Sequence, residues 1–101
     1  MFSPEDSESE NILEKNYIDY GVKDISSLHL KSNISTLNLH YNQIVLIKGL
    51  DHLINLRHLD LSSNSITNIS GLDSLIFLRT LNLSANRIKK ICGISRLRYI
   101  L

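Results

Sequence analysis

The eight residues LDLSSNSI, from Leu59 to Ile66, recur with small changes on both sides of that position. LNLHYNQI begins 22 residues earlier, at Leu37, and LNLSANRI begins 22 residues later, at Leu81. Self-similarity at a fixed period of this length indicates a solenoid, in which each repeat is one coil stacked on the next. The chain of 101 residues is therefore predicted to be a short stack of 22-residue coils.

Each recurring segment has the pattern of a short strand followed by a turn. The two leucines of LxL are two residues apart, which places both on one face of a strand and the middle residue on the other. An asparagine then falls where the chain must turn, and its amide can bond backbone groups of its own and neighbouring coils. We therefore predict a structural asparagine ladder made of Asn42, Asn64 and Asn86.

The segments that connect these strands also align with one another. IKGLDHLINL from Ile47, ISGLDSLIFL from Ile69 and ICGISRLRYI from Ile91 share a glycine and an apolar spacing close to GLxxLxxL. That spacing is helical but short, so it predicts 3₁₀ or short helical turns. ISSLHLKSNI, from Ile25, is a degenerate copy in which Ser27 replaces the glycine.

A single coil cannot bury its apolar face, whereas stacked coils share a continuous core. The predicted fold is an α/β solenoid: a right-handed coil stack with a short parallel sheet on its concave face and 3₁₀ or short helical turns on its convex face. We expect an acidic disordered arm over residues 1–14 and a repeat domain over 15–101, with a degenerate unit at about 15–36. The repeats start near 37, 59 and 81 and stop at 101 without a cap, so a fragment or shortened isoform is expected.

Charge is distributed unevenly along the chain, although the formal net charge is only +1. Seven of the ten acidic residues precede Ile25, whereas nine of the eleven Lys and Arg residues follow Asp24. The N-terminal sequence lacks the basic flank and apolar run of a secretory signal, and no stretch has the length of a membrane span. Cys92 is the only cysteine, so no internal disulfide can form. A cytoplasmic protein without a membrane partner is expected.

The repeat consensus, written LxxLxLSxNxIxxIxGLxxL, resembles the leucine-rich repeats of the 22-residue class, typified by the regulatory subunit of type-1 protein phosphatase. It covers about residues 22–101 and implies both the solenoid fold and a role in protein binding. The stretches IDYGVKDISSLHL, LNLHYNQI and LDHLINLRHLDLSSNSI look more closely like the N-terminal region of the leucine-rich repeat and coiled-coil centrosomal family. That resemblance implies a scaffold at centrosomes, centrioles or cilia.

The strand positions that alternate with the leucines are predicted to project from the concave face. They are rich in hydroxyl, amide and imidazole groups, which suits hydrogen-bonded recognition of a peptide or helix of a protein partner. Tyr41, His58 and Asp60 are the expected anchors, because aromatic and charged side chains often dominate binding energy. The predicted partner-binding residues are Thr36, Asn38, His40, Tyr41, His58, Asp60, Thr80 and Asn82, and Ser62 and Ser84 lie in the same rows.

Chemistry other than binding has little support in the sequence. His40, His58 and Asp60 could approach one another, but a zinc site needs three or four convergent ligands, usually with cysteine. No nucleophile motif, phosphate loop or paired carboxylate cleft is present, and the basic residues near the C-terminus lack the density of a nucleic-acid surface. We therefore expect no enzyme activity, metal, cofactor, small-molecule substrate or nucleic-acid partner. The alternatives to a scaffold are a regulatory subunit that modulates a phosphatase or another enzyme, and a spliceosomal-type repeat protein that supports an RNA-binding partner.

Overall fold

The computed structural model describes residues 13–91, which form six short strands and one 3₁₀ helix. The helix spans Ile25–Leu28. Cys92, Gly93 and residues 1–12 of the predicted acidic arm lie outside the described residues. The strands are β1 (Glu14–Asn16), β2 (Thr36–Asn38), β3 (His58–Asp60), β4 (Asn68–Ile69), β5 (Thr80–Asn82) and β6 (Lys90–Ile91).

Four of the strands form one parallel sheet in the order β1-β2-β3-β5. Leu37 of β2 lies opposite Leu59 of β3, which lies opposite Leu81 of β5. One step of 22 residues therefore returns the chain to the same register in the next coil. The predicted leucine-rich solenoid with a parallel sheet is confirmed.

One aliphatic core runs through the stacked coils. The leucines of LxL, the isoleucines after the turn asparagines and the leucines of the connecting segments all enter it. Every buried apolar side chain among the described residues is Val, Leu or Ile. Leu81, Leu83 and Ile88 pack against this core but are only partly buried, because no further coil of the described residues covers them.

We expect Leu59→Ala to lower the free energy of unfolding by about 2–5 kcal/mol, the usual range for a large-to-small change in a packed core. Leu59 is only 2% exposed and belongs to the aliphatic core. Ser63→Ala is the control, because Ala85 already adopts the same φ of 55° one coil later. This change is expected to alter stability by less than about 0.5 kcal/mol. Denaturant titration followed by circular dichroism measures both values, and equal losses would contradict the proposed core.

The connecting segments form a 3₁₀ helix and single turns, as the sequence predicted. Among residues 13–91, the 3₁₀ helix occurs only in the degenerate unit, where Asp24 caps it by accepting the Ser26 N–H at 3.0 Å. In the following unit, single turns take its place: the Leu53 N–H donates to the Leu50 carbonyl at 2.9 Å. A helix advances only about 1.5–2 Å per residue, so turns cross this side of a 22-residue coil with fewer residues.

A second parallel sheet, formed by β4 and β6, was not predicted. Ile69 of β4 lies opposite Ile91 of β6, again at a distance of one repeat. The equivalent stretch of the preceding coil, around Ile47, forms no strand. The repeat pattern contains no residue signature for this backbone pairing between coils.

The first coil begins earlier than the sequence analysis predicted. Strand β1 includes Glu14, which had been assigned to the disordered arm. The carbonyl of Leu13 accepts the Ser35 N–H at 2.9 Å, so backbone pairing with the next coil starts there. Lys15 occupies the position of Leu37 and is exposed, since no coil of the described residues stacks on this side. A lysine can therefore replace the consensus leucine here, because its side chain is not enclosed by a neighbouring coil of the described residues.

Candidate functional site

The concave strand face is the set of side chains that point outward from the four-stranded sheet and from the three residues after each strand. Parallel hydrogen bonds continue into these residues: the Leu39 N–H donates to the Asp60 carbonyl at 2.8 Å, and the Tyr41 N–H to the Ser62 carbonyl at 3.0 Å. The eight residues predicted to bind a partner lie on this face, and none of them is buried. Thr36, Asn38, His40 and Asp60 are half-buried, whereas Tyr41, His58, Thr80 and Asn82 are exposed.

The asparagines at the turns connect each coil to the one before it. Asn64 Oδ1 accepts the Ile44 N–H of the preceding coil at 3.0 Å. Its Nδ2 donates to the Leu39 carbonyl of the preceding coil and to the Leu61 carbonyl of its own coil, both at 3.0 Å. The corresponding bonds recur at the other two members of the ladder. These amide hydrogen bonds hold together the backbones of adjacent coils just beyond the strands of the concave strand face.

A second row of side-chain oxygens holds the turn that follows each strand. Asn38, Asp60 and Asn82 each accept, through Oδ1, the backbone N–H two residues further along, at 3.0, 2.9 and 3.0 Å. Asn16 in β1 does the same at 3.0 Å, although the sequence analysis did not include it. In each of these residues, Oδ1 is therefore engaged in a structural hydrogen bond. The second polar atom of the side chain, Nδ2 of Asn or Oδ2 of Asp, remains available at the exposed surface.

His40, Ser62 and Asp60 are joined by side-chain hydrogen bonds. The Ser62 hydroxyl donates to Asp60 Oδ1 at 2.5 Å, and its oxygen lies 2.7 Å from His40 Nδ1, which donates to it. Ser62 is buried, although the sequence analysis placed it in an exposed row, because its hydroxyl is enclosed by these two partners. A nucleophilic serine gives its proton to histidine, whereas Ser62 gives its proton to the carboxylate. The trio positions Asp60 and does not activate Ser62.

Two further predicted anchors lie at the edge of this network. The His58 ring nitrogen Nδ1 is 2.8 Å from the Thr80 hydroxyl of the neighbouring strand. Tyr41 has a left-handed backbone with φ 60°, and its ring lies 6.2 Å from that of His40. The Tyr41 side chain is 59% exposed, so it offers an aromatic surface beside the polar rows.

Within residues 13–91, no three side chains of His, Cys, Asp and Glu are grouped as a metal ion would require. The pKa of Asp24 is lowered by its hydrogen bonds with Ser26, with a smaller contribution from Lys48 at 3.5 Å, but this carboxylate lies outside the concave strand face. The geometry of the face is that of a preformed hydrogen-bonding surface.

The comparisons with known proteins agree with this geometry. Residues 54–96 match the family described as Leucine Rich repeats (2 copies). The fold is similar to the crystal structure of an internalin C2 from Listeria monocytogenes, with a TM-score of 0.65 and 23% identity over 88% of this chain and 48% of that chain. Residues 13–91 therefore have the fold of a leucine-rich-repeat solenoid, and residues 54–96 match the sequence of such repeats.

A particular relative is recognisable within this class. Part of the chain is 51% identical over 41 residues to the mouse Leucine-rich repeat and coiled-coil domain-containing protein 1. The match covers 41% of this chain and 4% of the mouse protein, so the chain spans only a small part of the relative's length. No helix among residues 13–91 is both long and apolar enough to cross a membrane.

Proposed function

We propose that this protein is a scaffold module of centrosomal or ciliary type that binds a partner protein on its concave strand face. The observation that carries the proposal is the continuous row of accessible polar side chains across β2, β3 and β5. Each of these side chains projects from a strand whose opposite face is part of the aliphatic core. Such a face needs little reorganisation on binding, which lowers the entropic cost of association.

The cellular setting is proposed from resemblance. The stretches IDYGVKDISSLHL and LDHLINLRHLDLSSNSI look like the centrosomal family of leucine-rich repeat and coiled-coil proteins. The name of the mouse relative joins the same two features, a leucine-rich repeat and a coiled coil. A repeat unit attached to a coiled coil would serve as a docking point on an elongated scaffold, and this is the role we assign to the chain.

The direct test is the recovery of partner proteins by tagged variants of the full chain. Asp60→Lys reverses the charge in the middle of the face, and Asp51→Lys reverses an exposed charge in a connecting turn. We expect Asp60→Lys to reduce partner recovery, measured by quantitative mass spectrometry, by about tenfold or more, the effect of about 1.4 kcal/mol. Recovery by Asp51→Lys should equal that of the native chain, and the recovered set should be enriched in centrosomal or ciliary proteins.

A second face variant separates binding from folding. Lysine at position 60 cannot accept the Ser62 N–H, so Asp60→Lys needs a melting curve beside it. Thr36→Arg adds bulk to the same face at a half-buried position. Undiminished recovery by both folded variants would contradict the binding face. Recovery without centrosomal or ciliary proteins would contradict the proposed setting.

A further inference from the structure

We propose that the segment bound on the concave strand face is extended and basic, with one Lys or Arg side chain placed on Asp60. This inference rests on the proposed function, because it gives the chemistry of the partner for the same face. It draws on two observations: the sign of the charges on the face, and the fixed direction of the side-chain amides beside Asp60.

The charged side chains on the face are carboxylates. Glu14 and Asp60 point outward from β1 and β3, and Asp19 takes the position in the first coil that Tyr41 takes in the second. In the part of the chain that the structure describes, no Lys or Arg occupies an outward position of the four strands or of the residues that follow them. A nucleic acid would bring phosphates against these carboxylates, whereas a basic protein segment complements them.

The amides beside Asp60 point in a direction fixed by their hydrogen bonds. Asn38 and Asn82 flank Asp60 on β2 and β5. The Oδ1 atom of each accepts a backbone N–H at 3.0 Å, so the Nδ2 group of each is available to a partner. Asp60 Oδ1 accepts both the N–H and the hydroxyl of Ser62, so Oδ2 is its available oxygen. The face therefore presents a donor, an anionic acceptor and a donor on three adjacent strands.

The spacing of these groups fits an extended segment that crosses the strands. Neighbouring strands lie about 4.8 Å apart, so Asn38 and Asn82 are separated by about 10 Å. An extended chain rises about 3.3 Å per residue and covers this distance with about three residues. Its backbone carbonyls can accept from the two amides while a basic side chain between them reaches Asp60. An apolar side chain there would desolvate the carboxylate without pairing it, and an acidic one would repel it.

The hydrogen-bonded histidine strengthens this preference for a donor. Because Ser62 gives its proton to Asp60, the bond between Ser62 and His40 requires a proton on His40 Nδ1. The other ring nitrogen, Nε2, is then an acceptor whenever the ring is neutral. His40 and Ser62 also hold the Asp60 carboxylate in place before binding, so the acceptor for a cation is preformed.

The inference is tested by titrating the full ¹⁵N-labelled chain with two short peptides. The probe is the acetylated and amidated peptide Gly-Thr-Arg-Thr-Gly, and its counterpart carries Glu in place of Arg. We expect the Arg peptide at millimolar concentration to shift the side-chain NH₂ signals of Asn38 and Asn82 and the backbone amide of Ser62. The Glu peptide should bind about tenfold more weakly or not at all, a difference of about 1.4 kcal/mol.

Asp60→Asn removes the charge without removing the structural bond. Asparagine keeps the Oδ1 acceptor, and Asn38 and Asn82 already occupy the same row, so the variant should fold normally. We expect it to lose the preference for Arg over Glu, whereas Asp51→Asn, in an exposed turn, keeps it. Equal binding of both peptides by the native chain, retention of the preference in Asp60→Asn, or no shift with either peptide would overturn the inference.

The peptide titration and the partner recovery fail in distinguishable ways. If recovery of the natural partner depends on the face but the Arg peptide causes no shift, the binding face stands and the basic segment is wrong. If recovery is independent of both Asp60→Lys and Thr36→Arg, the binding face is wrong and the inference built on it falls as well.

Discussion

Asn64→Ala is expected to lower the free energy of unfolding by about 2–5 kcal/mol. It leaves the buried Ile44 N–H without a partner, at about 1–3 kcal/mol, and it removes one of the two side-chain donors from each of the Leu39 and Leu61 carbonyls. The Asn64 amide accepts the Ile44 N–H and donates to the Leu39 and Leu61 carbonyls. These groups belong to two adjacent coils, so the loss weakens the stacking of the solenoid as well as one turn. Chemical denaturation of the purified chain gives the value directly.

Asn86→Ala is the matched control for this prediction. Asn86 makes the same set of bonds, to Ile66, Leu61 and Leu83, but it is only partly buried. Water can reach the groups that the alanine abandons, so we expect a loss of about 1–2 kcal/mol, in the range of a solvated hydrogen bond. Similar losses at both positions would contradict the view that burial makes the ladder essential.

Gly71→Ala is expected to cost about 2–5 kcal/mol of unfolding free energy. Gly71 has φ +72°, a left-handed conformation that costs a residue with a side chain about 1–2 kcal/mol. A Cβ at this position would also overlap the carbonyl oxygen of Ile47 in the preceding coil. Because that atom belongs to the backbone, two coils must separate to admit the methyl group, with the further cost of overpacking.

Gly21→Ala isolates the first part of this cost, the left-handed backbone. Gly21 has φ +68°, close to that of Gly71, but an added Cβ would meet no atom within 4 Å. We expect it to lose only about 1–2 kcal/mol, from the left-handed backbone alone. Thermal or denaturant unfolding of the two variants compares them. An equal loss would show that the close approach to Ile47 contributes nothing.

The spacing of the repeats was sufficient to predict the register of the sheet. Leu37, Leu59 and Leu81 recur at 22-residue intervals and lie opposite one another in adjacent strands. The prediction succeeds because a solenoid places equivalent residues of successive coils side by side. Residues one repeat apart in the sequence are therefore neighbours in adjacent strands. Apolar alternation within LxL then fixes which side chains enter the core and which remain outside.

Features that differ from one coil to the next could not be predicted from the repeat period. The pairing of Ile69 with Ile91 is a backbone contact that leaves no residue signature, since Ile47 carries the same side chain without forming a strand. The burial of Ser62 depends on the proton that it gives to Asp60 and on the neighbouring histidine. One signal was present and overlooked: the last residue of each strand in the four-stranded sheet is Asn or Asp, two residues before the N–H that its side chain accepts.

The central claim, that the concave strand face is the surface that meets a partner, is tested most directly by photo-crosslinking. Tyr41 on the face and Phe77 on a connecting segment are both exposed aromatic residues, at 59% and 48%. Each is replaced in turn by a photoreactive phenylalanine derivative, and the crosslinked partner is measured after irradiation. We expect partner crosslinks from position 41 and none from position 77. Crosslinks from position 77 alone, with the partner still bound, would contradict the account.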